Sequence, residues 1–198
     1  MAGADPIISV DDIRAIKKLI RQTPKEYALF VIGLATNLRA SDLCRLKVGQ
    51  VRYLSVGHPV PMVEKKTRKH RRITANEDFV EAVQMLIQSR LAKNPNLSDE
   101  EFLFVGQRGP MIPSTVQKFV VKWTRMIHLD EKTSDFGRKP RYSAHTLRKT
   151  FGWHAHERLG IPLPELVLMF NHSTQAQTLE YLSIQDKKIE DNYLKMRY

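Results

Sequence analysis

Cysteine is nearly absent from this chain: Cys44 is the only one in 198 residues. No disulfide can form within the chain, which excludes a small disulfide-stapled secreted scaffold and points to an intracellular protein. Cys44 sits in an apolar stretch between Leu43 and Leu46, the setting of a buried, inert thiol. Long apolar runs are missing too. No segment approaches the roughly 20 residues that a membrane span needs, and the first nine residues carry Asp5 and no run of signal-peptide type. Acidic residues are scarce, 21 against 32 Lys and Arg, which leaves a net charge of +11. That imbalance favours a polyanionic partner, nucleic acid ahead of an anionic membrane, although a merely basic or ribosomal protein shares it. Internal repeats and low-complexity segments are absent. The expectation is a soluble, cytoplasmic, nucleoid-associated protein with no membrane contact.

What is present supports a real core. Hydrophobic residues make up 42%, and the length fits one ordinary domain. Ser9 is a candidate N-cap for an amphipathic helix through Val10, Ile13, Ile16, Leu19 and Ile20, with Asp11 and Asp12 in its first turn. Pro24 opens a second helix, apolar almost all round and therefore buried. Asn37 is suited to end it in left-handed geometry, and Ser41 to cap a further short helix. Three β-prone pieces follow (Gln50 to Val56, Val60 to Glu64 and Arg71 to Thr74), read as a small antiparallel three-stranded sheet. Asn76 then caps a helix bearing Phe79, Val80, Val83, Met85, Leu86 and Ile87. Phe102 to Val105 reads as a short buried segment, and Pro113 to His128 as a helix. Asp130 to Tyr142 reads as a polar, mobile loop. Helices are expected over 144–159, from Pro164 to Phe170, and from Thr174 onward. The class is α+β, mainly α.

Four groups could carry chemistry. The first is the run Lys65-Lys66-Thr67-Arg68-Lys69-His70-Arg71-Arg72. A run like this is commonly a solvated hairpin, but a tight turn would concentrate charge that phosphate contact relieves. The second is His145-Thr146-Leu147-Arg148, whose i and i+3 members share a helix face. His154 and His156 read as packing residues, without the carboxylate or Cys companions of a zinc site. The third is His172 with Tyr181 nine residues later; alone, such a tyrosine is usually core. The fourth is Arg39, at the end of the buried helix. It must meet an anion, either Asp42 three residues on or a ligand phosphate.

Taken in order, Arg39, Lys66, His145-x-x-Arg148, His172 and Tyr181 resemble the catalytic domain of the tyrosine recombinase, or phage integrase, family. The resemblance spans Ser9 to Tyr181. It departs at two points, where family glycines are replaced by Asn37 and Asn171, the residue most tolerant of left-handed backbone after glycine. It implies a catalytic domain over residues 1–184 and a tail over 185–198 that docks on a neighbouring subunit, with packing on its own domain as the alternative. It also implies attack of Tyr181 on a DNA phosphodiester, giving a 3′-phosphotyrosyl bond and a free 5′-hydroxyl, without metal, ATP or other cofactor. Arg39 and Arg148 would hold the phosphate oxygens and Lys66, with Lys65 as runner-up, would protonate the leaving oxygen. His145 would assist proton transfer from Tyr181, and His172 would bond the phosphate. Lys65, Arg68, Lys69, Arg71 and Arg72 would contact double-stranded DNA, on which a homotetramer is expected. Asp42 would buttress Arg39. Family members usually carry a second, core-binding domain, so the chain reads as a minimal recombinase or a catalytic piece. Two other functions fit the same residues: a non-cleaving DNA-binding regulator, and supercoil relaxation like that of type IB topoisomerases.

Overall fold

The computed structural model describes residues 3–64, 68, 70–71, 73–132, 138–182 and 193–196. The chain opens with an extended strap that is bonded at two places. Ile7 N donates to Thr150 Oγ1 at 2.9 Å, and Ile7 O lies 3.0 Å from His154 Nε2. The buried Asp5 carboxylate takes both terminal nitrogens of Arg138, at 2.8 and 2.7 Å, and the amide of Arg141. Ser9 then caps helix α1 (Val10–Ile20) by accepting from Asp12 N, as its position before the acidic pair requires.

Helix α2 (Pro24–Thr36) is the axis of the molecule. Its residues from Tyr27 to Gly33 are all buried, which is what an all-round apolar helix must achieve. It packs on α4 (Glu77–Leu91), α5 (Pro113–Met126) and α6 (Thr146–Glu157). Gly33 lets α6 approach closely, since a Cβ there would stand 2.5 Å from Leu147 Cδ1. At the α5 contact the Trp123 ring meets Phe30 edge-on at 5.3 Å, and its indole N–H donates to Glu26 at 2.7 Å. Glu26 is a carboxylate at a core position made tolerable by that bond and by Lys122 Nζ at 2.8 Å.

The β-structure is smaller than expected. Strands β1 (Met62–Val63) and β2 (His70–Arg71) pair antiparallel, Met62 opposite Arg71. A bridge between Pro59 and Thr74 extends the hairpin. The first β-prone piece is not a strand. Val48–Gln50 is a 3₁₀ turn and residues 51–53 continue as turn. Gln50 Oε1 accepts from Lys47 N, and Val51 N and Arg52 N both bond Val48 O, so local bonds win over its β propensity. A second ribbon, β3 (Val105–Gly106) with β4 (Gly109–Pro110), follows the buried Leu103 and Phe104. Ser41 is likewise no cap: α3 (Ala40–Leu43) has Arg39 at its N-cap, and Ser41 lies inside the first turn.

After α6, which Gly160 at φ 65° terminates, come α7 (Leu163–Phe170) and α8 (Gln175–Leu182). They share a separate small core of Ala155, Leu166, Phe170 and Leu182, with Phe151, Ile161, Leu163 and Tyr181 at its margin. Gly152 on α6 admits the Phe170 ring, since a Cβ there would be 2.6 Å from Cζ. Of the tail, only 193–196 is described, with a helical turn at 193–195; Asp130–Tyr142 is described outside 133–137. Gly152→Val is expected to destabilise the protein by about 1–3 kcal/mol through overpacking of that contact, read as a lower urea midpoint with unchanged slope.

Candidate active site

Three helix ends converge to form the site. Helix α2 stops at Asn37, which takes left-handed geometry at φ 54° and ψ 26°. Helix α7 stops the same way at Asn171, φ 54° and ψ 39°. Both asparagines stand where the family resemblance expects glycine, and both adopt the backbone that glycine would supply. Asn37 adds something glycine lacks, because its side chain Nδ2 donates to Met169 O at 3.2 Å and joins the two helix ends.

The N-terminus of α6 faces these two ends. Ser143 Oγ accepts from His145 N at 3.2 Å and Thr146 Oγ1 from Ser143 N at 3.0 Å, which fixes the entry to the helix. From the first turn Arg148 runs inward and is only 1% exposed. Its NH1 donates to Asn37 O at 2.6 Å and its NH2 to Phe170 O at 2.8 Å, one carbonyl from each left-handed junction. NH2 also lies 3.1 Å from His172 Nε2, while His172 Nδ1 is 2.9 Å from Thr178 Oγ1. A guanidinium only donates, so His172 Nε2 stands as the acceptor in its contact with Arg148, and Nδ1 faces the Thr178 hydroxyl.

Tyr181 on α8 is half-buried. Its ring stands against Phe170 and His172, at centroid distances of 5.5 and 5.2 Å, and 5.3 Å from the Arg148 guanidinium carbon. Its hydroxyl is 3.5 Å from His145 Nδ1, a long approach at the limit of a hydrogen bond. His145 keeps an open edge to solvent, yet surrounding protein lowers its pKa, and the positive charges of Arg148, Lys149 and Arg39 lower it further. A neutral imidazole at the hydroxyl is able to take up a proton.

Arg39 projects from the N-cap of α3, with its side chain 17% exposed, and ion-pairs with Glu64 Oε2 at 2.5 Å. Glu64, not Asp42, is thus the acid at Arg39; Asp42 is buried within α3. Nothing in the chain order marks Glu64, but the alternation Val60, Met62, Glu64, all buried, signals a carboxylate on an inward face. Thr178 was also missed, since its role depends on a turn between α7 and α8 that spacing does not define.

The basic hairpin is described only in part. Lys65, Lys66, Lys69 and Arg72 lie outside the described residues, and Arg71 is described only as backbone of β2. Arg68 is exposed, at φ 54°, and its amide bonds Glu64 O at 2.9 Å. His154 and His156 are packing residues, each with a ring nitrogen at a backbone carbonyl, of Ile7 and Ile161. Cys44 is buried, and burial pushes its thiol up to about 11. Among the described residues no group of three His, Cys, Asp or Glu is placed to hold a metal ion, and no helix is long and apolar enough to cross a membrane.

The family model described as "Phage integrase family" matches residues 8–188. The chain belongs to the phage integrase family. A relative within this family, the "Probable integrase/recombinase YoeC" of Bacillus subtilis (strain 168), is 29% identical over 182 residues, covering 91% of this chain and 90% of that protein. Among solved structures, the XerA recombinase superposes at a TM-score of 0.74 with 21% identity, over 99% of this chain and 68% of that one. The XerH site-specific recombinase bound to palindromic difH substrate, a post-cleavage complex, gives 0.73 at 16% identity. It covers 98% of this chain, which spans only 54% of that one. The phage integrase fold, mainly helical with little sheet, is thereby the fold of this chain.

The lowered pKa of His145 has a sign that can be measured. Because the folded value lies below the ordinary 6.5, protonation on acidification opposes folding: stability is unaffected above the unfolded value and declines as pH falls through the window beneath it. An NMR titration of the His145 ring is expected to give a midpoint below 6.5, and Lys149→Gln to move that midpoint upward.

Proposed function

We propose that this protein is a site-specific DNA recombinase that breaks and rejoins strands through Tyr181, with Arg39, Lys66, His145, Arg148 and His172 as the remaining active-site residues. The observation that carries this reading is the meeting of Tyr181 Oη with His145 Nδ1 beside the buried Arg148 guanidinium. In the forward step Tyr181 Oη attacks the phosphorus, its proton passes to neutral His145, and the bond from phosphorus to the 5′-oxygen breaks. Lys66 supplies the proton to the departing 5′-oxygen, and rejoining reverses each transfer. Arg39 offers planar donors to the non-bridging oxygens, where negative charge grows in the transition state. Arg148, buried and bonded to two carbonyls, adds its fixed positive charge there and donates to phosphate only once DNA binding opens a path to its guanidinium. His172 donates to the phosphate only after its Nε2 leaves Arg148, so DNA binding includes a proton shift or ring rearrangement at this residue.

Double-stranded DNA is the substrate, and Arg68 with Lys65, Lys69, Arg71 and Arg72 forms its electrostatic contact. We read the working assembly as a homotetramer on DNA, with residues 185–198 of each copy docking on a neighbour. An exposed apolar surface supports this reading: Leu159, 72% exposed, lines a hollow of about 260 Å³ with Phe151, Ile161 and Met169, and Leu168 on α7 is 79% exposed.

Suicide DNA substrates that trap the covalent adduct test the proposal. The wild-type protein is expected to form a phosphotyrosyl adduct, and Tyr181→Phe to form none while still binding DNA. An adduct that survives Tyr181→Phe, or no adduct from wild type on any site or salt condition, would overturn it. Relaxation of plasmids without site preference would move the reading to topoisomerase-like activity.

A further inference from the structure

The hairpin alternation places Val60, Met62 and Glu64 on one inward face, and all three are buried. A hydrocarbon would fill the third position at no electrostatic cost. A carboxylate there, with none of its side chain exposed, persists only if its charge is matched. Such pairs contribute little net stability compared with apolar packing, but they fix geometry. The match is Arg39 NH1 at 2.5 Å.

Glu64 also has a second attachment. Its carbonyl accepts from Arg68 N at 2.9 Å, and Arg68 takes left-handed geometry to close that turn. One residue therefore binds Arg39 through its side chain and roots the basic turn through its backbone. Lys65 and Lys66 lie between Glu64 and Arg68 in the chain. The arginine itself needs such a hold: it projects from a helix N-cap on a long side chain with several rotatable bonds. A guanidinium carries five N–H donors in a rigid fork, so engaging NH1 orients the plane while leaving donors for a phosphate.

We infer that Glu64 is a positioning residue for the cleavage reaction, holding the Arg39 guanidinium in its phosphate-binding orientation and coupling it to the hairpin that carries the basic run. The inference rests on the reading of Arg39 as a phosphate-holding group. Glu64 acts through the Arg39 guanidinium and the turn it roots. Its effect is on rate, not on affinity, because its negative charge itself opposes DNA binding.

The experiment is a double-mutant cycle on the full chain, reading both DNA Kd and the single-turnover rate of adduct formation at saturating suicide substrate. Glu64→Gln is expected to slow adduct formation about 10- to 100-fold, the scale of a misplaced catalytic group, with Kd unchanged or tighter. In an Arg39→Lys background the same change should add less than about twofold, because the two residues act as one unit. A wild-type rate for Glu64→Gln, or a defect that multiplies in full on Arg39→Lys, overturns the inference. If Glu64→Gln does not fold, Glu64→Asp keeps the charge and withdraws it by one methylene, and a full rate there is equally fatal. A full rate for Arg39→Lys alone sinks the assignment of Arg39, and with it this proposal. An impaired Arg39→Lys with an unimpaired Glu64→Gln sinks only the role of Glu64.

Discussion

The fold is organised around one buried cation. Arg148 is sealed from solvent, and a guanidinium cannot shed its proton to escape the cost of burial. It must be solvated by the protein, and two carbonyl oxygens at the C-terminal ends of α2 and α7 supply that solvation. Helix C-termini carry partial negative charge and unspent acceptors, so they suit a cation on both counts. Each charge-assisted bond of this kind contributes about 1.5–3 kcal/mol. The arrangement requires α2, α6 and α7 to meet at one point. Gly33 and Gly152 make that meeting sterically feasible, and the two left-handed asparagines turn the chain away once the carbonyls are in place.

Much of this was legible in the sequence, and for physical reasons. Ser9, Asn76 and Asn37 act through local backbone chemistry, so their roles as caps and stop could be read from neighbours alone. The all-round apolar character of α2 required burial. The order of Arg39, His145, Arg148, His172 and Tyr181 gave the family, and the fold brings His145, Arg148, His172 and Tyr181 into one cluster. What could not be read depends on tertiary contact. Glu64 is far from Arg39 in the chain, and its alternation with Val60 and Met62 marks an inward face without naming the partner it meets there. The segment from Gln50 to Val56 has the β-branched residues of a strand, yet the Gln50 side chain captured the Lys47 amide and a 3₁₀ turn formed instead.

The strap before α1 is another tertiary fact hidden from the sequence. Asp5 and Ile7 tie it to the 138–141 segment and to Thr150 and His154 on α6. The same helix presents His145 and Arg148 at its other end. Helix α6 is therefore held along its length by the strap and at its tip by the carbonyls around Arg148, and its freedom to tilt relative to α2 is small.

Tyr181, by contrast, does not belong to the main core. Helix α8 is seated on the satellite cluster of Ala155, Leu166, Phe170 and Leu182, away from the packing that surrounds α2. Regions with few buried apolar contacts open at lower free energy than the global unfolding of the domain. The proposed nucleophile thus rides on a separable unit, whereas the histidine and arginine it must meet are fixed to the part that opens last. Amide protons of α8 would exchange with solvent well before those of α2, and the readiness of the tyrosine for attack becomes a local equilibrium that can shift while the scaffold stays folded.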